Sequence, residues 1–317
     1  KWLPYSATDH ASSIEGTAIA FGAPKDVEYD LSRADVIVSL DCDFLGGEST
    51  LEGLRGYGRN RIREGANGRE ARDTKMSRIY TADSQMSLTG GQSDHRLNVH
   101  VDAVGAVTIA LAEAVLAHPD LRGQMRTAGA GLRSALQQAR SQSANLEEIA
   151  HAADWAKWAA DDLVKNRGTS VVMPGRSQPA AVHALAAAIN HLLDNDTETV
   201  MYRPMSRDLR ASSVESVRSV VEDARSGTLT TLVTIGTNPV FTAPADLNFA
   251  DAVAQVPVRI HHGDPDETAE AATWFLGRTH FLEEWNDAEA PNGTRSITQP
   301  MIKPLYDYHS DLELLAA

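Results

Sequence analysis

Three short stretches hold the side chains that could do chemistry. The first is Gly236-Thr237-Asn238-Pro239, set between the aliphatic run Leu229 to Ile235 and a segment that reaches Phe249. Gly236 and Asn238 tolerate backbone angles that most residues avoid, and Pro239 stops a strand, so the loop can bring backbone N–H groups and an amide to a ligand. The second is Asp41-Cys42-Asp43, which puts two carboxylates and a thiol directly after the aliphatic run Val36 to Leu40. The third is His261-His262 with Asp264, Asp266 and Glu267. These residue types suit a metal ion, yet adjacent histidines diverge, and carboxylates before a helix suit the positive end of its dipole, so capping is the expected role. Ser93-Asp94-His95 has the composition of a catalytic triad. Three successive residues point apart, whereas a working triad is assembled from separate segments, so His95 is expected to hydrogen-bond within a loop.

The elements that must position these loops follow from the apolar pattern. Leu229 to Ile235 and Val36 to Leu40 are short aliphatic runs of the kind buried in a parallel sheet. Asp246 is placed to cap a helix running through Ala250 and Val253. Strand, tight loop and helix in succession put a ligand site at the carboxyl end of the sheet. Further strands are expected at Ser77 to Asp83, Leu97 to Val101, Thr169 to Met173 and Val256 to Ile260, the last ending at His261-His262. Helices are expected from Ala103 to Ala117, through His183, Leu185, Ile189 and Leu193, and from Val214 to Ala224, with a loop from Met201 to Arg210. Leu121 to Leu163 reads as amphipathic helix packed through Leu132, Leu136, Ile149, Trp155, Trp158 and Leu163. Leu51 to Arg78, rich in Gly and Arg, reads as a long mobile excursion, because Glu52, Glu64, Glu70 and Asp73 dilute any basic patch. Gly168 is a natural stop. The fold class is therefore α/β, two Rossmann-like lobes with mainly parallel sheets flanked by helices, divided as 1–166 and 167–317.

Composition narrows the function classes. A chain of 317 residues with 42% hydrophobic content can bury one large or two smaller cores. Its longest apolar runs fall short of the roughly 20 residues that span a bilayer, so direct membrane insertion is not expected. Lys1-Trp2-Leu3-Pro4 has neither the charged start nor the apolar core of a secretion signal and lacks an initiating Met, so a processed or excised piece is expected. A net charge of −14 disfavours nucleic acid, since phosphate binding draws on clustered Lys and Arg. A basic partner surface suits it better. Late in the chain Asp264, Asp266, Glu267, Glu270, Glu283, Glu284, Asp287 and Glu289 are opposed over that stretch only by Arg278. The single cysteine, Cys42, excludes an internal disulfide and any thiolate-held cluster or zinc site within this segment.

Taken in order, these segments resemble the molybdopterin oxidoreductase superfamily, specifically its second and third domains. The resemblance is carried by Ala34-Asp35-Val36-Ile37-Val38, Ser93-Asp94 through Ala110, and Ile235-Gly236-Thr237-Asn238-Pro239. It continues in Glu267-Thr268-Ala269, Ala271 to Leu276, Leu282-Glu283 and Asn292-Gly293-Thr294. A closer resemblance is to the molybdopterin-like region of the large iron–sulfur subunit of alternative complex III, a quinol-oxidising membrane complex. Ser32 to Asp41, Asp43-Phe44-Leu45-Gly46, Met76-Ser77-Arg78, Leu88-Thr89-Gly90, Asp94-His95-Arg96, Val182-His183-Ala184-Leu185 and Gln299-Pro300-Met301-Ile302 carry it.

That resemblance implies an extracytoplasmic, periplasmic chain peripheral to the membrane. It would be joined to a ferredoxin-like region that carries iron–sulfur clusters and to other subunits of the complex. The family's amino-terminal Cys motif, its molybdenum ligand and its final cofactor-binding domain have no counterpart in this segment. The resemblance places Gly236, Thr237, Asn238, Glu267 and Thr268 at cofactor-binding positions, here expected to be vestigial. Asp41 and Asp43 would face a pyrophosphate, at a cost of about 1 to 4 kcal/mol per charge pair. No cofactor is therefore expected in this segment, and no catalytic or metal-binding residue is assigned. The alternatives are an active bis-molybdopterin guanine dinucleotide oxidoreductase and a binding protein for a small anion or nucleotide.

Overall fold

The structure is a computed structural model that describes residues 1–8, 11–61, 76–121, 128–140, 149, 151–205, 214–290 and 292–317. The chain forms two compact units, a larger one of Ala11–Met205 and a smaller one of Lys1–His10 with Ser206–Ala317. In the larger unit helix α1 (Ala11–Phe21) leads to β1 (Lys25–Tyr29) and β2 (Val36–Leu40). Then follow α2 (Leu51–Arg61), β3 (Arg78–Asp83), α3 (Leu88–Gln92), β4 (His95–Asn98), α4 (Val104–Ala117), α5 (Ala128–Arg140) and α6 (Ala152–Lys165). Strand β5 (Ser170–Pro174), α7 (Ala180–Leu192) and β6 (Val200–Pro204) close the unit.

The core sheet is parallel with strand order β4-β3-β2-β5, and β1 pairs antiparallel with β6. Every residue of β2 is buried, the pattern of a strand covered on both faces. Side chains alternate across such a strand. Val36, Val38 and Leu40 join a cluster with α4, α6 and α7, while Ile37 joins Leu31, Phe44, Ile79, Val171 and Met173 on the opposite face.

The larger unit extends past the boundary expected at residues 166 and 167. Ser170–Pro174 is the neighbour of β2 in the same sheet, with Val36 abreast of Ser170 and Leu40 abreast of Pro174, so the division falls after Met205. A five-residue aliphatic run looks the same in whichever sheet it pairs. The Met201 to Arg210 stretch, expected as a loop, begins as β6, its residues past 205 lying outside the described ones. The first part of the Gly- and Arg-rich excursion is likewise helix α2, and residues 62–75 lie outside the described ones. Trp158, expected to pack, is 56% exposed on α6, whereas Leu132, Leu136, Trp155 and Leu163 are buried.

The smaller unit comprises α8 (Val214–Arg225), β7 (Thr231–Ile235), the short helices α9 (Pro239–Thr242) and α10 (Phe249–Val253), and β8 (Val258–Gly263). It continues through α11 (Glu267–Glu270), β9 (Trp274–Gly277), the antiparallel ribbon of β10 (Asn286–Glu289) and β11 (Arg295–Thr298), and α12 (Asp311–Ala316). Its sheet is parallel in the order β7-β8-β9. Strand β7 was expected to be buried, but it lies at the sheet's edge and alternates between exposed and half-buried residues. Asp246 sits in a turn and caps nothing; α10 starts instead from Asn248 in a left-handed conformation.

The free edge of β5 is sealed by side chains. Asn190 Nδ2 donates to Val172 O and Val172 N donates to Asn190 Oδ1, both at 2.9 Å, while Thr199 Oγ1 donates to Ser170 O at 2.5 Å. All of these groups are buried, so water cannot replace the bonds. Asn190→Ala should lower the unfolding free energy by about 2–4 kcal/mol, because it leaves two buried main-chain groups unmet. Urea unfolding of the 317-residue chain measures this.

Candidate functional site

Each parallel sheet directs the loops that follow its strands to its carboxyl edge. In the larger unit β2 runs into Asp41, whose φ of +59° is left-handed. Asp41 Oδ2 accepts from Gln178 Nε2 at 2.9 Å and from Ser177 Oγ at 3.3 Å, both in the loop after β5. That loop approaches so closely that a Cβ on Gly175 would lie 2.0 Å from Asp41 O, which explains a glycine there. Asp43 Oδ1 accepts from Thr89 N at 2.9 Å, Thr89 Oγ1 at 2.8 Å and Gly46 N at 3.2 Å. Glu48 takes two more backbone donors, Asp43 N at 3.2 Å and Arg176 N at 2.7 Å. Cys42 is buried, and burial, reinforced by the charges of Glu48 and Asp43, pushes its thiol well above the usual range. It stays protonated at neutral pH and is therefore a poor nucleophile.

In the smaller unit, Gly236 follows β7 with φ +61°, and a Cβ there would lie 3.1 Å from Arg278 Nη1. Asn238 caps α9, with Pro239 at its first helical position. Its side chain links two loops: Nδ2 donates to Glu267 Oε2 at 2.7 Å, and Oδ1 accepts from Thr268 Oγ1 at 2.7 Å. Thr268 Oγ1 in turn accepts from Val240 N at 3.2 Å. The bond from Asn238, with its own backbone N–H, holds the Glu267 carboxyl below its ordinary range. The structure thus joins Asn238, Glu267 and Thr268 directly. Gly236 and Thr237 complete the loop that carries Asn238.

Asp266 caps α11 through Thr268 N at 2.9 Å and Ala269 N at 3.0 Å, the capping role expected for this acidic group. His261 and His262 lie inside β8 rather than beyond its end, and both are fully buried. His261 Nδ1 lies 2.8 Å from Thr234 Oγ1 and its Nε2 lies 3.4 Å from Asp266 Oδ1. His262 Nε2 lies 3.2 Å from Asp311 Oδ1, and Arg278 Nη2 donates to Asp311 Oδ2 at 2.7 Å. The two rings point away from each other, and among the described residues no set of three His, Cys, Asp or Glu is placed to hold a metal ion.

Sequence reasoning missed Arg278, Asp311 and Thr234 here, and Thr89 and Glu48 at the other edge. Arg278 had one readable signal, a cation directly after a strand-length apolar run. Asp311 had none, because its partners lie 33 residues or more away in the chain. The triad residues do not meet. Asp94 Oδ2 accepts from Ile79 N at 2.8 Å, Ser93 Oγ donates to Gly90 O, and His95, on a strand rather than in a loop, stacks on Tyr80 at 4.6 Å.

No protein-family model matches the sequence, and no curated protein sequence matches it. The structure is similar to that of acetylene hydratase from Pelobacter acetylenicus, with a TM-score of 0.65 and 9% identity over 98% of this chain and 50% of that one. At that identity the likeness shows the fold alone, an α/β arrangement of parallel sheets flanked by helices. The chain spans half the length of that protein. Among the described residues no helix is long and apolar enough to cross a membrane.

Burial holds the His261 imidazole below its usual range, with Asp266 opposing the shift. The unfolded chain therefore binds the proton more readily than the folded one. Stability from this group is fully present above the unfolded value near 6.5 and falls as the pH drops from there towards the folded value, at up to about 1.4 kcal/mol per pH unit. Urea midpoints at about pH 7.5 and 5.5 should differ less for His261→Gln than for the parent.

Proposed function

We propose that this chain is a scaffold of molybdopterin-oxidoreductase-like fold that has given up its cofactor. In this reading it supports the cluster-bearing, ferredoxin-like region of an iron–sulfur subunit in a quinol:acceptor oxidoreductase of the alternative complex III kind. It would sit on the periplasmic side, peripheral to the membrane, and relay no electrons itself. The sequence resemblance to that subunit carries the assignment of the complex. The loss of the cofactor rests on a separate observation, the state of Asp43.

A pyrophosphate at a sheet's carboxyl edge is held by backbone N–H groups and hydroxyls. In the larger unit those donors, Gly46 N, Thr89 N and Thr89 Oγ1, are already spent on the Asp43 carboxylate. A phosphate would have to displace three bonds to a charged group, each worth about 1.5–3 kcal/mol, and then lie beside the displaced anion. The residues present do not fit a dinucleotide there. In the smaller unit the Gly236-Thr237-Asn238 loop is tied to Glu267 and Thr268 through the Asn238 side chain, so the loop holds its shape with no ligand.

One observation favours a second reading, the binding of a small anion or nucleotide in the smaller unit. The Arg278 guanidinium, about one-third exposed, lies against Gly236 at the edge of that crevice.

Two measurements separate these readings. Purified full-length protein should contain no stoichiometric molybdenum or tungsten and release no GMP on hydrolysis; a full complement of both would end the scaffold reading. In thermal-shift titrations of the 317-residue chain, millimolar GDP or phosphate should move the midpoint by less than about 1 °C. A concentration-dependent rise that Arg278→Ala abolishes would establish the second reading.

A further inference from the structure

The sheet of the smaller unit has one face packed by helices and one whose apolar residues, among the described residues, join no buried cluster. Leu232, Thr234, His261 and Phe275 share a face, as the Thr234–His261 contact and the His261–Phe275 stacking show. Leu232 there packs against the cluster built by Val217 and Val221 of α8 with Phe249 and Val253 of α10. The opposite face carries Val233, Ile235, Val258, Ile260, Trp274 and Leu276, with Val233 abreast of Ile260 and Ile260 abreast of Trp274. Val233 is 48% exposed and Trp274 66%. The carboxyl end of this face is closed where His262 meets Asp311 at the start of α12.

The rest of the segment shows the same imbalance. Among the described residues no apolar side chain after Val256 is buried, yet more than half of the large exposed ones fall between Trp274 and Leu315. Phe281, Trp285, Ile297, Met301 and Leu305 are among them. Parallel sheets are covered on both faces, as the larger unit's sheet is, and this many exposed apolar side chains in one segment mark an interface. The segment is also acidic. Between Trp274 and Leu315 seven carboxylates, of Glu283, Glu284, Asp287, Glu289, Asp307, Asp311 and Glu313, outnumber three cations, Arg278, Arg295 and Lys303, and Arg278 and Arg295 are already paired with Asp311 and Glu289. A second copy of the chain would bring two such rims together and repel itself.

We propose that this opposite face docks a separate polypeptide through an amphipathic helical layer whose apolar stripe is flanked by Lys and Arg. This deepens the scaffold reading and rests on it only for the existence of a partner. The geometry supplies the partner's chemistry: helices to cover the second face of a parallel sheet, apolar side chains to meet Val233 and Trp274, and positive charge to meet the rim.

The test is site-specific photo-crosslinking of the full-length chain in the cells that produce it. Benzoylphenylalanine replaces Trp274 or Val233, with the exposed Trp158 of the larger unit as control, and mass spectrometry locates the joined peptide. Positions 274 and 233 should crosslink to one polypeptide other than this chain, at a basic-flanked amphipathic segment, and position 158 should not. Val233→Asp should cut the yield from position 274 about tenfold or more, while moving the free chain's thermal midpoint by no more than about 2 °C, as befits an exposed site. Absence of crosslinks, crosslinks to a second copy, an acidic contact segment, or a fall of more than about 5 °C in the variant's midpoint would each overturn the proposal. Loss of the crosslinks in metal-free protein would remove the docking face and leave the scaffold reading standing. Crosslinks in protein with a full complement of molybdenum would do the reverse.

Discussion

The carboxyl edge of a parallel sheet gathers N–H groups from loops and helix starts that have no strand to pair with, and an acceptor must meet them. In the larger unit the chain supplies that acceptor itself. Asp43 collects Gly46 and Thr89, Glu48 collects Asp43 and Arg176, and Asp41 collects Ser177 and Gln178. The remaining features of the edge depend on those bonds. Asp41 takes its left-handed turn so that β2 can hand over to this loop, and Gly175 lacks a Cβ so that the loop after β5 can lie against it.

The smaller unit meets the same demand with neutral groups and one helix cap. Thr268 Oγ1 donates to Asn238 Oδ1 between the loops after β7 and β8, and Asp266 satisfies the first N–H groups of α11. An internal carboxylate is a permanent occupant, since removing it would strand several donors in a partly buried place. An amide–hydroxyl pair contributes less and leaves Arg278 beside Gly236 with part of its guanidinium open to water. The two edges therefore share one architecture and differ in how firmly each is closed.

How much of this was legible in the sequence depended on how local each feature is. Val36 to Leu40 was read at its true limits because burial on both faces leaves an unbroken aliphatic run bounded by Asp35 and Asp41. Asn238 and Glu267 stood out by residue type and Thr268 through a resemblance, and their mutual bonds across 29 and 30 residues became visible only with the fold. The division expected between residues 166 and 167 falls instead after Met205 because strand pairing is non-local, and β5 pairs with a strand more than a hundred residues earlier. The histidines were placed at a strand's end because two polar residues interrupt an apolar pattern. Their burial depends on Thr234, Asp266 and Asp311 lying beside them, which no local pattern records. A further surprise was that the smaller unit is discontinuous. Tyr5 hydroxyl donates to Thr242 O at 2.7 Å, and Lys1 Nζ donates to Ser219 Oγ at 2.6 Å, so the first residues belong with the last hundred.

The two units also differ in how completely they bury what they carry. In the larger one, clusters on both faces of a four-stranded sheet take up nearly all of the strands' apolar side chains, and buried side chains seal the sheet's edge at β5. In the smaller one, a single cluster beneath α8 and α10 is the apolar core among the described residues, and the buried side chains described beyond Val256 are polar: His261, His262, Thr268, Thr279, Glu284 and Ser310. Polar contacts of that kind specify geometry but contribute little net stability, whereas covering apolar surface contributes about 25 cal/mol per Å². A unit built this way has less stability of its own than its neighbour and more to gain from whatever covers its open face. Its acidic rim limits that gain to partners of opposite charge. The same chain thus holds one body whose sheet is covered on both faces and one open body whose remaining apolar surface favours association.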